Sequence, residues 1–183
     1  MSRRQGLLLG LFAAIFAILA GFYALSQRFD TRQQDLSADD AAVVERFFAT
    51  SLDDVHGQAQ AFSQWQGKTL VVNFWATWCP PCRDEMPAFS RLQRLHGAKG
   101  VQFVGIALDS AESVLDFSQL QRVTYPLLIG GARGIELAQQ FGNVTLALPY
   151  TVVISPAKKV DLVRLGPLSE VELDRFLHQA TSR

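Results

Sequence analysis

Several residue types are scarce in this sequence, and each shortage excludes a class of site. The 183 residues include only two cysteines, two methionines and three histidines. A zinc site normally needs four ligands, and the histidines, which show no metal-ligand spacing, are His56, His96 and His178. A methionine-rich copper site is excluded as well, because the only methionines are Met1 and Met86. We therefore expect no metal centre and assign the histidines no role.

An excess of charge of either sign is also missing. Lysine plus arginine and aspartate plus glutamate number 17 each, so nothing indicates a nucleic-acid partner or an acidic tail. Internal repeats and low-complexity segments are lacking too. A length of 183 residues fits one folded domain with an appendage.

The appendage is a long apolar run near the N-terminus. Residues 6–25 carry no charged side chain, and Tyr23 alone is weakly polar. A helix of this length, at about 1.5 Å per residue, extends roughly 30 Å, which is enough to cross the hydrocarbon core of a bilayer. We therefore predict a single-pass membrane anchor over residues 1–26.

A cleaved secretory signal is the alternative interpretation of this run. Signal peptides have shorter apolar regions, of about 7 to 15 residues, that end at a small-x-small site. The best candidate here, Ala24-Leu25-Ser26, fits that pattern poorly. Arginines flank the run on both sides, so the positive-inside rule does not determine the orientation.

The following residues divide into a linker and a folded domain. Residues 27–48 are polar and charged, and we interpret them as a linker in which Ser37 begins a short helix. We expect the folded domain over residues 49–183.

Strand and helix patterns alternate within that domain. Strands are predicted at residues 68–75, 101–108 and 126–129 and as a hairpin at 150–154 and 160–165, and helices at 80–95, 111–121, 132–141 and after a capping box at Ser169 and Glu172. The inward stripe of the first helix is expected to consist of Met86, Phe89, Leu92 and Leu95. This order of elements predicts an α/β domain with a mixed sheet.

The two cysteines lie where the first of these strands turns into a helix. Residues 72–87 read VNFWATWCPPCRDEMP, so Cys79 and Cys82 form a CxxC motif. This segment closely resembles the active site of the membrane-anchored thioredoxin-like disulfide reductases of the TlpA, ResA and cytochrome c biogenesis group. Residues 146–154, LALPYTVVI, are similar to the stretch around a cis-proline that faces the dithiol in that family. The resemblance implies a thioredoxin-like fold, with a mixed central sheet flanked by helices.

The same resemblance implies a function. It is that of a thiol:disulfide oxidoreductase acting mainly as a reductase, whose only cofactor is its own redox-active Cys79–Cys82 pair. Its substrates would be exported proteins, such as oxidised apocytochrome c or proteins with copper-site cysteines. Its electrons would come from a membrane donor of the DsbD or CcdA type. The resemblance assigns the cis-proline position to Pro149, with Leu148 before it.

Placement at a helix N-terminus suits disulfide exchange. Unpaired backbone amides and the helix dipole stabilise a thiolate, which is the attacking species. We predict that Cys79 attacks a substrate disulfide and that Cys82 resolves the mixed disulfide. Pro80 and Pro81 constrain the backbone between the sulfurs and, with the neighbouring Trp78, border the substrate site.

Glu85 is a further candidate for the chemistry. It lies one helical turn after Cys82, close enough to exchange protons with that sulfur. The alternative is an ordinary acidic residue near a helix start. Thioredoxin has a buried aspartate where this chain has Asn73, so the resemblance implies that Glu85 takes over proton handling. Trp75 is expected to pack in the core.

Other functions fit the cysteine pair less well. A structural disulfide or half of a zinc site is possible chemically, and a disulfide-forming oxidase would share the same architecture. A copper chaperone that binds through the two thiols represents a non-catalytic class. A peroxidase of the peroxiredoxin kind also fits less well, because the threonine of that family lies three residues before its cysteine, whereas Thr77 lies two residues before Cys79. The motifs favour a reductase in the bacterial inner membrane, with its catalytic domain in the periplasm, where oxidising conditions make disulfide exchange useful.

Overall fold

The computed structural model describes residues 40–181. The predicted anchor over residues 1–26 lies outside the described residues, as does the linker up to residue 39. Within residues 40–181, none of the helices combines the length and the apolar character needed to cross a bilayer.

The compact unit begins at residue 40 instead of residue 49. Residues 40–48 are helical and form α1. Val44 and Phe47 of this helix are fully buried, and the Phe47 ring stacks on Phe62 with centroids 4.1 Å apart. The end of the expected linker is therefore part of the domain, because its apolar side chains complete one side of the core.

A mixed seven-stranded sheet forms the centre of the domain, in the order β2-β1-β5-β4-β3-β6-β7. The strands are β1 (Ser51–Asp54), β2 (Ala59–Ala61), β3 (Thr69–Trp75), β4 (Val101–Ala107), β5 (Leu127–Ile129), β6 (Tyr150–Ile154) and β7 (Val160–Leu165). Strands β3, β4 and β5 pair in parallel, and the remaining pairings are antiparallel. All five predicted strands are present, including the two of the β6–β7 hairpin, whereas β1 and β2 were not predicted.

Helices cover both faces of the sheet. Besides α1 they are α2 (Pro80–His96), α3 (Ala111–Leu120), α4 (Gly131–Gln140) and α5 (Glu170–Thr181). Helices α1 and α4 pack on one face, and α2, α3 and α5 pack on the other. Ser169 caps α5 as predicted, since its Oγ accepts from Glu172 N at 3.3 Å, and Ser110 caps α3, since its Oγ accepts from Ser113 N at 3.1 Å.

Strand β3 determines where the cysteines lie. All seven of its residues are buried, between β4 on one side and β6 on the other. Its side chains alternate between the two faces, as the pleat of a strand requires. Because Phe74 pairs with Tyr150, the start of β6 lies beside the end of β3. The segment that contains Cys79 and the one that contains Pro149 therefore meet at one edge of the sheet.

The inward stripe of α2 differs from the prediction at its last position. Met86, Phe89 and Leu92 are buried, but Leu95 is 56% exposed. At 3.6 residues per turn, steps of three residues rotate the side chain backwards by about 60° each, so the fourth member points away from the core. His96 occupies the inward position instead and is fully buried.

Candidate active site

Cys79 and Cys82 form a disulfide at the N-terminus of α2. Cys79 is the N-cap residue, and its sulfur accepts a hydrogen bond from Cys82 N at 3.3 Å. Pro80 and Pro81 occupy the first two helical positions, where their missing N–H groups cost no intrahelical bond. Cys79 is 4% exposed and Cys82 is fully buried, so Cys79 is the sulfur nearer to solvent.

This position favours the thiolate form of Cys79 once the disulfide is reduced. The N–H groups of the first helical turn point towards the cap residue, and the positive end of the helix dipole lies there. The backbone N–H of Cys82 already points at the Cys79 sulfur in the oxidised protein. The geometry therefore suits Cys79 as the attacking sulfur and Cys82 as the sheltered, resolving one.

Glu85 is buried one turn further along α2, with only 6% of its surface exposed. Its two carboxylate oxygens accept hydrogen bonds from Asn73 Nδ2 at 2.9 Å and from Leu168 N at 3.1 Å. Burial raises the pKa of Glu85 to about 7, against the lowering effect of these two hydrogen bonds. The carboxyl group is therefore able to gain and lose a proton near neutral pH.

Asn73 connects Glu85 to the sheet. It lies on β3, is almost fully buried, and also donates to Thr151 Oγ1 of β6 at 3.1 Å. Asn73 therefore binds the carboxylate of Glu85, the residue that the resemblance implied as a replacement for the buried aspartate of thioredoxin. Thr151 and Leu168 were missed by the sequence analysis. Thr151 lies in an apolar strand and Leu168 contributes only its backbone, so neither position carries a recognisable signal.

Pro149 has the predicted conformation, since the Leu148–Pro149 peptide bond is cis. Its carbonyl oxygen accepts from Gly166 N at 2.9 Å, which ties it to the segment after β7. Leu148 is half-buried and packs against the hydrophobic cluster that contains both cysteines. Leu148 therefore packs against the same cluster as the two cysteines, and contact of Leu148 and Pro149 with a substrate stays a prediction.

A side-chain clamp that was not predicted holds the loop before Leu148. The Asn143 amide donates to Ala147 O at 3.0 Å and accepts from Ala147 N at 3.1 Å. Asn143 itself is 3% exposed, so the clamp is anchored in the domain interior. An asparagine in a loop is a common turn residue, and its sequence position alone did not indicate this double contact.

The two tryptophans of the motif have different environments. Trp75 is fully buried, and its ring lies 4.9 Å from that of Phe117 on α3, which confirms core packing. Trp78 is 66% exposed beside Cys79. Exposed tryptophan next to a reactive sulfur provides a large apolar contact for a protein partner.

The remaining titratable side chains of the site region form no metal-binding arrangement. Among residues 40–181 no group of three or more histidine, cysteine, aspartate or glutamate side chains is placed to hold a metal ion. His96, for which no role was predicted, lies at the far end of α2, where its Nε2 is 2.6 Å from Asp174 Oδ1 of α5. It therefore connects two helices and lies away from the dithiol.

Comparison with known proteins identifies the family. The profile of the AhpC/TSA family matches residues 43–163. The thioredoxin-like protein YneN of Bacillus subtilis is 31% identical over 131 residues, which cover 69% of this chain and 74% of YneN. The thiol-disulfide oxidoreductase ResA of Bacillus thuringiensis subsp. konkukian is 27% identical over 170 residues, which cover 91% and 93% of the two chains.

Solved structures lead to the same family. The crystal structure of a thiol:disulfide interchange protein of the thioredoxin family from Chlorobium tepidum superposes with a TM-score of 0.66 and 31% sequence identity, covering 72% of this chain and 92% of that one. The fold, the geometry of the cysteine pair and the similar proteins all indicate one family. The chain belongs to the AhpC/TSA family of thioredoxin-like proteins and is a thiol:disulfide oxidoreductase of the ResA and YneN type.

Proposed function

We propose that the protein reduces disulfides in exported proteins. One observation carries this proposal. Cys79, which forms the disulfide with Cys82, is the N-cap residue of α2, and the buried Glu85 carboxyl lies one helical turn after Cys82. The position of Cys79 supports a reactive thiolate, and the pKa of about 7 that burial gives Glu85 supports proton transfer at neutral pH.

The proposed reaction takes two thiol–disulfide exchanges. The Cys79 thiolate attacks one sulfur of a substrate disulfide, and the other substrate sulfur leaves as a thiolate that takes up a proton. Glu85 in its ionised form removes the proton from the Cys82 thiol, and the Cys82 thiolate then attacks the Cys79 sulfur of the mixed disulfide. The second substrate sulfur leaves as a thiolate and takes up the proton that Glu85 removed from Cys82, so the substrate leaves as a dithiol. Two electrons have then passed from the enzyme, which now holds the Cys79–Cys82 disulfide.

The surface around Cys79 supports a protein substrate. One side of the proposed substrate surface consists of Trp78 and Pro80, which flank Cys79 in the chain and are exposed, and the other side consists of the half-buried Leu148, which precedes the cis-proline. We propose that a substrate segment lies between these two sides, with Pro81 and Pro149 forming the floor. Such a surface contacts the backbone and apolar side chains of a partner more than any one charged group.

We propose further that residues 1–26 anchor the protein in the bacterial inner membrane, with the catalytic domain in the periplasm. The uncharged run at residues 6–25 supports an anchor. The resemblance to the TlpA, ResA and cytochrome c biogenesis group supports apocytochrome c or copper-site proteins as substrates. It also supports a membrane donor of the DsbD or CcdA type, which would return the enzyme to its dithiol form.

Trapping of the mixed disulfide tests the proposed roles of the cysteines. The full-length chain, solubilised in detergent and reduced, is mixed with insulin, whose disulfides serve as the model substrate. C82S should accumulate a covalent adduct through Cys79, because the resolving sulfur is missing. C79S should form no such adduct, and the unaltered protein should turn over with dithiothreitol as reductant. Absence of both turnover and adduct, together with thiol-dependent copper binding, would instead support a copper chaperone.

A further inference from the structure

The loop between β3 and α2 is held by an aspartate from the neighbouring strand. Asp109 follows β4, and a single carboxylate oxygen, Oδ2, accepts from both Thr77 N, at 3.1 Å, and the Thr77 hydroxyl. The other oxygen accepts from Ser110 N at 2.8 Å. Three donors therefore fix the orientation of this carboxylate.

Apart from this contact, the loop is held at its start by Ala76, which is fully buried in the cluster that contains both cysteines, and by few hydrogen bonds. Residues 76–78 belong to no helix or strand, and Trp78 extends mostly into solvent. Ala76 O accepts from Cys79 N at 3.2 Å, which makes one tight turn into the helix. Among residues 76–78, Thr77 is the one whose own side chain makes a hydrogen bond in the described part of the chain, and both its hydroxyl and its backbone N–H donate to Asp109.

Cys79 takes its position from this loop. Its backbone N–H bonds to Ala76, and its sulfur faces the N–H of Cys82 only while the residue keeps an extended cap conformation. The reacting sulfurs of an exchange must also be aligned with one another, so a small rotation at the cap lowers the rate steeply. A contact that fixes the residue two positions before Cys79 therefore acts on the attack step.

We propose that Thr77 and Asp109 are positioning residues that orient the Cys79 sulfur for attack on a disulfide. This inference rests on the proposed function of Cys79 as the attacking sulfur. Loss of the hydroxyl should therefore slow the attack, because it loosens the loop that positions Cys79.

The test measures the rate at which the mixed disulfide forms with insulin, in full-length protein that also carries C82S. T77V, which removes the hydroxyl but keeps the side-chain volume, should slow this step about tenfold, the effect typical of losing one hydrogen bond to a charged group. T77S keeps the hydroxyl and should react within about twofold of the parent protein. The matched control T50V removes a threonine hydroxyl that donates to Arg46 O, far from the cysteines, and should leave the rate unchanged.

A second set of variants, made in protein that already carries D109N, distinguishes loss of the Thr77–Asp109 hydrogen bond from other effects of replacing Thr77. If the two residues act through one hydrogen bond, T77V should change the rate by less than about twofold when D109N is already present. Equal rates for T77V and its parent would overturn the inference, as would equal slowing by T77V and T77S. If the parent C82S protein forms no mixed disulfide at all, the proposed function itself fails, and this outcome is distinct from a parent that reacts as fast as T77V.

Discussion

Glu85 combines burial with two hydrogen-bond donors, and this combination gives it a chemical role. Asn73 and Leu168 each donate a hydrogen bond to one of the two carboxylate oxygens, which fixes the orientation of the side chain. Because burial places the pKa at about 7, the group is neither a permanent anion nor a permanent acid. A carboxyl group on the helix surface would not have this property, since solvent would keep its pKa near the ordinary value.

The pKa of Glu85 predicts how stability depends on pH. The pKa rises from an ordinary value of 4.5 to about 7 on folding, so the folded oxidised protein retains a proton that the unfolded chain releases. Stability is therefore highest below about pH 4.5 as far as this group is concerned, and it falls as pH rises to about 7, by about 3 kcal/mol. E85Q removes the titrating group and should flatten this part of the profile.

Urea unfolding at pH 5 and pH 8 measures this difference. The free energy of unfolding of the oxidised wild-type protein should fall between the two pH values by clearly more than that of E85Q. The same fall in both proteins would show that another group carries the pH dependence and that Glu85 does not titrate as described.

The sequence predicted the part of this site whose residues lie close together in the chain. Cys79, Cys82 and Glu85 follow one another at helical spacing, and all three were identified from that spacing and the resemblance. Thr151 lies 78 positions from Asn73 and meets it only through the β3–β6 register. A pattern within one sequence does not predict such a long-range pairing, so the contact of Asn73 with Thr151 could not be predicted.

At the scale of elements, α2 shows where periodicity misleads. The stripe predicted to end at Leu95 assumed regular three-residue spacing, but the helix rotates that position into solvent and brings His96 inwards. The buried imidazole is tolerated because Asp174 on α5 lies 2.6 Å from its Nε2. The histidine therefore joins the two helices that enclose the cysteine side of the core.

Two alanine variants at adjacent positions test this arrangement. H96A removes a fully buried side chain and its hydrogen bond, and should lower the free energy of unfolding by about 2 to 4 kcal/mol. L95A truncates a side chain that is 56% exposed and should change it by less than about 0.5 kcal/mol. Chemical denaturation of the oxidised proteins distinguishes the two, and an equal or larger loss for L95A would contradict the buried position of His96.

Strands with continuous apolar sequence were predicted well, and the two short polar strands were not. Strand β3 is buried on both faces and reads as one apolar run. Strands β1 and β2 have four and three residues, and Leu52 is their only buried side chain. Such segments lack the alternation that marks a half-buried strand, because they form by pairing at the sheet edge next to β5.

At the scale of the whole molecule, the site lies where distant segments of the chain converge. The cysteines lie at the start of α2, after the loop that follows β3, Pro149 directly precedes β6, and the segment before α5 supplies the backbone N–H of Leu168 to Glu85. The mixed sheet was predicted from the order of elements, whereas the strand order depends on long-range pairing. The placement of α1 also depends on tertiary packing. Its residues are mostly apolar, but they follow a polar segment and were assigned to the linker, whereas in the fold Phe47 stacks on Phe62.

The reduction potential of the Cys79–Cys82 pair tests the central claim most directly. The full-length protein is equilibrated with dithiothreitol or glutathione buffers, and the reduced fraction is measured by thiol alkylation. A reductase fed by a dedicated electron donor should have a potential near that of thioredoxin, about −270 mV. A potential near about −120 mV, typical of disulfide-forming oxidants, would reverse the direction of electron flow and contradict the proposed function.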